Sequence, residues 1–311
     1  MYKLGILSRD AETYATLIKQ ANLQDFQVRF YHQHSAPQAE LSQLDILLAE
    51  PKLAAQVLMQ CTKLQWLQST WAGNKPVFDL PRRDYLFSGV KDVFQDAMAE
   101  YVFAYMLYFS RNIAGFKQQQ QQALWQSPGF SSLKGKTLGI IGVGNIGKGV
   151  AAKARAFGLQ VKGLSRSSRD CNDVDEYFSW AQLPEFCCDL DYLVCLLPHS
   201  LSTEGLIDAA LLALLPDYCV LINAGRGQTL VEADLLLALQ KKSLKAAVLD
   251  VFAHEPLDTS HPFWHMDNVY ITQHTAAESK PQDIARIFIQ NYALFTRGQA
   301  LHGQLDFSQA Y

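Results

Sequence analysis

Short apolar runs separated by helically spaced segments set the pattern of this chain. Across the first hundred residues the runs fall at 4–7, 28–31, 46–49, 64–67 and 85–88, with helical spacing at 11–21 and 53–61. Buried strands alternating with amphipathic helices predict a parallel sheet covered on both faces. Residues 96–116 then form one long helical pattern, with Met98, Val102, Tyr105, Met106 and Phe109 on one side, which suits a connection between domains. The polar run 118–122 continues it as a solvated surface. Beyond it the alternation starts again. Strands are predicted at 137–141, 161–164, 192–197, 220–223, 246–249 and 269–272, with a helix at 233–239. A last helix, 283–296, spaces Ile284, Ile287, Phe288, Asn291 and Leu294 for one face and is expected to return the chain to the first domain. The pattern predicts an α/β protein of two doubly wound parallel-sheet domains.

Composition narrows the classes of function. With 27 basic and 30 acidic residues the net charge is −3, which argues against nucleic acid or an anionic membrane as partner. The longest apolar stretch, 211–222, is broken by Pro216 and Asp217, so no membrane span is expected, and the opening MYKLGILSRD has no signal-like apolar core. The cysteines at 61, 171, 187, 188, 195 and 219 lack metal-ligand spacing. They read as thiols of a reducing compartment, so a cytoplasmic protein without a metal is expected.

The strand at 137–141 runs into Gly142, Gly144 and Gly147 at G-x-G-x-x-G spacing, then into a helix stopped by Gly158 and a second strand. In that context the glycines have separate tasks: a tight turn, close approach of backbone to a pyrophosphate, and packing of helix on strand. The helix N-terminus then offers N–H groups to the phosphates. The bland alternative is a glycine turn that binds nothing. Polar residues also follow three later strands: Arg226, Asp250 with Glu255, and His274. That edge is the ligand edge of a doubly wound sheet. An arginine can fork to a carboxylate, and a histidine beside a glutamate can deliver a proton as hydride arrives at a carbonyl carbon. Spacing alone also allows a surface arginine, a hydrogen-bonded histidine and a plain Glu-Pro turn. In the first domain, Trp71-Ala72-Gly73-Asn74 follows a strand. Gly73 would let backbone N–H groups face a carboxylate and Trp71 would wall a small pocket; the alternative is an ordinary turn with a buried tryptophan.

The blocks LKGKTLGIIGVGNIG, LINAGRG, LDVFAHEP and DNVYITQHTAA carry a resemblance to the D-isomer-specific 2-hydroxyacid dehydrogenases, spanning about residues 97–277. The resemblance implies a Rossmann dinucleotide-binding domain, 99–276, inserted in a flavodoxin-like substrate domain, 1–98 and 277–311. It puts the catalytic arginine, glutamate and histidine on Arg226, Glu255 and His274. It assigns cofactor contacts to Gly142, Gly144, Asn145, Ile146, Gly147, Ser165, Arg166, Ser167, Leu197, Pro198, Ala224 and Asp250, and substrate contacts to Trp71, Ala72, Gly73 and Arg226. Gln273 departs from the proline common before the catalytic histidine, and Glu255 argues against the formate dehydrogenase branch. NAD-specific members carry an aspartate after the second strand to hold the ribose hydroxyl. Here the turn reads Ser165-Arg166-Ser167-Ser168-Arg169, and Arg166 can pair with a 2′-phosphate, so NADPH is expected over NADH. The subgroup most similar is the bacterial NADP-dependent glyoxylate/hydroxypyruvate reductases, implying a small 2-oxo acid as substrate and a homodimer. A dinucleotide-sensing regulatory protein of the same fold is the competing reading, and the absence of basic patches favours the enzyme. A methyltransferase with a glycine-rich loop fails on the Arg226 and His274 blocks.

Overall fold

A computed structural model describes residues 1–24, 26–31, 38–165 and 171–307. The chain divides into two compact units, one made of Met1–Val93 and the segment from Ser279 onward, the other of Phe94–Glu278.

The first unit holds five parallel strands, β1 (Tyr2–Leu7), β2 (Phe26–Tyr31), β3 (Ile46–Ala49), β4 (Trp66–Ser69) and β5 (Leu86–Ser88), in the order β2-β1-β3-β4-β5. This is the flavodoxin-like order, reversing between β1 and β3. β3 and β4 are buried along their whole length, as parallel strands covered on both faces must be. The final helix, Pro281–Phe295, belongs to this unit and starts with proline where no N–H is needed. Phe288 stacks on Trp66, ring centroids 4.9 Å apart. Asn291, a polar residue on the apolar face, is fully buried because its amide is spent. It donates to Gln68 Oε1 and to the His302 carbonyl, each at 3.0 Å, and accepts from His302 N–H at 2.8 Å.

The second unit holds β6 (Thr137–Ile141), β7 (Gln160–Leu164), β8 (Glu176–Phe178), β9 (Tyr192–Cys195), β10 (Val220–Asn223), β11 (Ala246–Leu249) and β12 (Val269–Ile271). They are all parallel, in the order β12-β11-β10-β9-β6-β7-β8. Alternate residues of β6 feed two cores, Leu138 and Ile140 on one face and Ile141 on the other. The strand order reverses between β6 and β9, and a Rossmann sheet opens its crevice at that point, beyond the strands' carboxyl ends. No helix among the described residues is long and apolar enough to cross a membrane.

Three elements depart from the sequence pattern. The long helix expected over 96–116 is two, Gln95–Ser110 and Ile113–Gln121. Asn112 breaks it: its backbone is left-handed, φ 49°, and its side chain caps the second helix by accepting from Gly115 N–H at 3.2 Å. The helix expected over 53–61 begins earlier and ends at Val57. β8 has only three residues, with Glu176 exposed, and its sequence carries no apolar run to announce it.

Candidate active site

The turn after β6 is shaped by its glycines. Gly142 has φ +99°, and a Cβ there would press on the Leu196 carbonyl group across the sheet's switch point. A Cβ on Gly147 would lie 2.5 Å from the Gly142 oxygen. Gly144 is different: nothing lies within 4 Å of its Cβ position, and it caps the helix Asn145–Ala156. Its neighbours exclude a side chain at Gly142 and Gly147, whereas at Gly144 the protein leaves open space at a helix N-terminus. The first intrahelical bond runs from Lys148 N–H to the Gly144 carbonyl at 2.9 Å, so the N–H groups before it have no intrahelical acceptor. The residues therefore fit a dinucleotide pyrophosphate.

Two other expected cofactor residues, Ile146 at the helix start and Ala224 after β10, share a small apolar cluster with Met98, Leu196 and Ala276. A Cβ on Gly225 would lie 2.7 Å from the Leu197 oxygen, so the turns after β9 and β10 run side by side. Pro198 is exposed, its carbonyl accepting from the Thr203 hydroxyl, and Asn145 is exposed at the helix start. Ser165 follows β7, half-buried, donating its N–H to the Phe178 carbonyl. Arg166 and Ser167 lie outside the described residues.

Arg226 follows β10 with its backbone fixed. Its carbonyl accepts from the Thr229 hydroxyl at 2.6 Å and from Asn223 Nδ2 at 3.2 Å, and its guanidinium donates to the Gly225 carbonyl at 2.7 Å. Gly227 lets the next strand's loop approach, since a Cβ would run into the Phe252–Ala253 peptide. That loop carries Glu255. One carboxylate oxygen accepts from Phe252 N–H at 3.0 Å and the other meets His274 Nδ1 at 2.9 Å. Burial pushes the Glu255 carboxyl up, but the bonds from His274 and Phe252, with the charges of His274 and Arg226, outweigh it and hold it below the ordinary range. An ionised Glu255 only accepts, so Nδ1 carries the hydrogen and Nε2 is the nitrogen that can serve a reacting oxygen. His274 sits at φ +58°, an uncommon conformation for a side chain of its size.

Asp250 explains how that conformation is held. It is buried, and its carboxylate accepts from the Thr272 hydroxyl, from Thr275 N–H at 2.8 Å and from Ala276 N–H at 3.1 Å, while its carbonyl accepts from His274 N–H at 2.8 Å. Tyr101 in turn donates to Thr272 at 2.9 Å. The sequence marks Asp250 as a strand-end acid but gives no sign of this brace. Tyr101 and Thr272 are missed altogether, because their roles depend on a contact 171 positions apart. A hollow of about 550 Å³ lies by Leu239, Lys245 and Asn268 at the opposite, N-terminal ends of β10–β12, the wrong edge for ligand binding.

In the first unit, the loop after β4 exposes Trp71 and Ala72, with Gly73 half-buried. The Ser69 hydroxyl accepts from Trp71 N–H at 3.1 Å and donates to the Trp71 carbonyl at 2.8 Å, and Asn74 donates to the Ala72 carbonyl at 3.3 Å. The Arg9 guanidinium lies 6.0 Å from the Trp71 ring. Trp71 is 42% exposed rather than buried.

A seven-stranded Rossmann sheet whose glycine turn, arginine and Glu–His pair share one edge defines an NAD(P)-dependent dehydrogenase. Comparison with known proteins narrows the class. The family model for the NAD-binding domain of D-isomer-specific 2-hydroxyacid dehydrogenases matches residues 103–276, and the chain belongs to that family. It is 36% identical to glyoxylate/hydroxypyruvate reductase A of Yersinia enterocolitica over 214 residues, 69% of this chain and 68% of that protein. Among solved structures, a family protein from Aeromonas salmonicida superposes with a TM-score of 0.94 at 38% identity, over 98% of this chain and 99% of that one. The NADPH-dependent glyoxylate/hydroxypyruvate reductase of Sinorhizobium meliloti, in complex with NADP and sulfate, superposes with a TM-score of 0.86 at 29% identity over the whole of both chains.

Proposed function

We propose that this dehydrogenase uses NADPH to reduce a small 2-oxo acid, glyoxylate or hydroxypyruvate, to the 2-hydroxy acid, the D isomer where the new carbinol carbon is chiral. The observation that carries the reading is the Glu255–His274 bond of 2.9 Å, with the second Glu255 oxygen pinned by Phe252 N–H. The bound nicotinamide would supply the hydride. Arg226 forks to the substrate carboxylate and its neighbouring carbonyl oxygen. His274 gives its Nε2 proton to the alkoxide, and Glu255 keeps the ring oriented through Nδ1. The Trp71–Gly73 loop holds the substrate carboxylate through backbone N–H groups, and a tryptophan wall suits a small acid. Residues 99–276 serve as the dinucleotide domain, and 1–98 with 277–311 as the substrate domain.

Gly142, Gly144, Asn145, Ile146 and Gly147 hold the pyrophosphate, while Leu197, Pro198, Ala224 and Asp250 flank the nicotinamide half. NADPH is favoured because no acidic side chain stands at 165–167 and Arg166 can pair with the 2′-phosphate. The Sinorhizobium relative is NADPH-dependent and holds NADP. A charge-assisted bond of ~1.5–3 kcal/mol corresponds to roughly a 10- to 150-fold preference. The enzyme acts as a homodimer in the cytoplasm. Ile113, Phe116, Leu124, Trp125 and Phe130 are exposed along one 18-residue stretch, an apolar surface that a second copy would cover.

The test is a panel of 2-oxo acids against both cofactors. We expect kcat/KM to be highest for the smallest acids, and about tenfold or more higher with NADPH than with NADH. Ser165→Asp with Arg166→Ile should erase or reverse the cofactor ratio. A parent enzyme that prefers NADH, or a double variant that still prefers NADPH, contradicts the reading of the turn.

A further inference from the structure

Behind the Glu255 loop stands a second glutamate–histidine pair. Glu232, the first residue of the helix Glu232–Gln240, accepts from Ala253 N–H through Oε1 at 2.9 Å. Its Oε2 lies 3.6 Å from His261 Nε2, and both side chains are only about one-fifth exposed, 21% and 22%. His261 Nδ1 accepts from Phe263 N–H at 3.3 Å, so that nitrogen is bare and the hydrogen of the neutral ring sits on Nε2, facing Glu232. The other side of the same residue is also held, since Gln228 Nε2 donates to the Ala253 carbonyl at 3.0 Å. Gly227 packs its bare backbone against the Phe252–Ala253 peptide.

Gly227, Gln228 and Glu232 all follow Arg226 within six residues, and all three grip the peptide units just ahead of Glu255. The grip falls on the residue next to Phe252, whose N–H orients the Glu255 carboxylate. We infer that Glu232, backed by His261, is a positioning residue that locks the Arg226 turn to the Glu255 loop, so that arginine, glutamate and histidine hold one geometry. A backbone N–H needs any acceptor, and water or a serine would satisfy Ala253. A carboxylate that also engages an imidazole fixes the loop's direction as well as its hydrogen bond, and a fixed supporting shell is what keeps a catalytic pair at working distance. The inference rests on the proposed proton-donor role of His274 for its kinetic consequences, but its structural claim concerns only the Glu255–His274 bond.

Two variants and two readouts test it. Glu232→Gln keeps an oxygen for Ala253 N–H, whereas Glu232→Ala removes it. In Glu232→Ala, kcat for 2-oxo acid reduction should fall about tenfold or more while the KM for NADPH stays within about twofold, as Glu255 loses its hold on His274. Glu232→Gln, which keeps the acceptor for Ala253 N–H but turns its amide N–H groups towards the His261 Nε2 hydrogen, should fall between the parent and Glu232→Ala. The second readout needs no turnover: nitrogen-15 shifts of the His274 ring at alkaline pH. The parent and Glu232→Gln should show the hydrogen on Nδ1, and Glu232→Ala a shift towards the Nε2 tautomer. If Glu232→Ala is too unstable to study, Gln228→Ala, which loosens the same residue from its other side, should move both readouts the same way. Parental kinetics and tautomer in a folded Glu232→Ala or Gln228→Ala would overturn the inference and leave Glu232 a helix-terminal charge. A tautomer change without any 2-oxo acid turnover in the parent would uphold it and reject the proposed reaction.

Discussion

At the scale of single residues, the roles proposed for Arg226, Glu255 and His274 can each be measured. Arg226→Lys keeps the charge but loses the fork, so kcat/KM for the oxo acid should fall by about 10²-fold, a loss of ~2.7 kcal/mol, with cofactor affinity little changed. Unchanged kinetics with glyoxylate would mean the carboxylate is held elsewhere. Glu255 stays ionised in the folded protein below its ordinary 4.5, held there by His274 and Phe252 against the opposing effect of burial. The sign follows from linkage: a depressed carboxyl contributes stability that is present above its unfolded value and is lost as pH falls through the folded one. Across the neutral range Glu255 is therefore an ionised acceptor that holds the hydrogen on His274 Nδ1. Glu255→Gln removes that charge, so kcat for 2-oxo acid reduction should fall about tenfold or more with NADPH affinity little changed. Parental kcat in Glu255→Gln would show that Glu255 and His274 are uncoupled in catalysis.

At the scale of elements, the glycine turn separates binding from folding. Gly144 has φ −85° and no neighbour where a Cβ would go, whereas Gly147 faces the Gly142 oxygen. Gly144→Ala should therefore leave the melting temperature within a few degrees of the parent, yet weaken NADPH binding about tenfold or more, because the new methyl group takes the space a pyrophosphate would use. An equally large loss of stability would show that this glycine serves the fold. The strands that position this turn were legible in the sequence, because parallel strands buried on both faces leave unbroken apolar runs. The pattern misled where a polar cap or a sheet edge decided the outcome. Asn112 splits a helix whose apolar spacing runs straight through it, and β8 pairs at a sheet edge with one residue buried. The strand-end positions of Arg226, Glu255 and His274 were also legible. What holds them was not: the Asp250 brace and the Glu232 clamp join residues 21 to 26 positions apart through backbone N–H groups, which leave no mark on side-chain spacing.

At the scale of the whole molecule, two sheets of different order divide the chain's tasks. The second unit carries the glycine turn and the Arg226, Glu255 and His274 set on one sheet edge, and family membership makes it a dinucleotide-dependent dehydrogenase. The first unit is a sheet in the flavodoxin-like order, closed by the chain's last helix through Asn291 and the Trp66–Phe288 stack, and it exposes Trp71 at a strand's carboxyl end. We propose that the chain turns over a small 2-oxo acid, with His274 as the proton donor. The direct measurement is the steady-state rate of NADPH consumption with glyoxylate, for the parent and for His274→Ala, alongside NADPH binding to each. We expect sustained turnover by the parent, a fall in kcat of about 10²-fold or more in the variant, and NADPH affinity that is nearly the same in both. NADPH binding by the parent without turnover of any 2-oxo acid, or near-parental turnover by His274→Ala, would contradict the account.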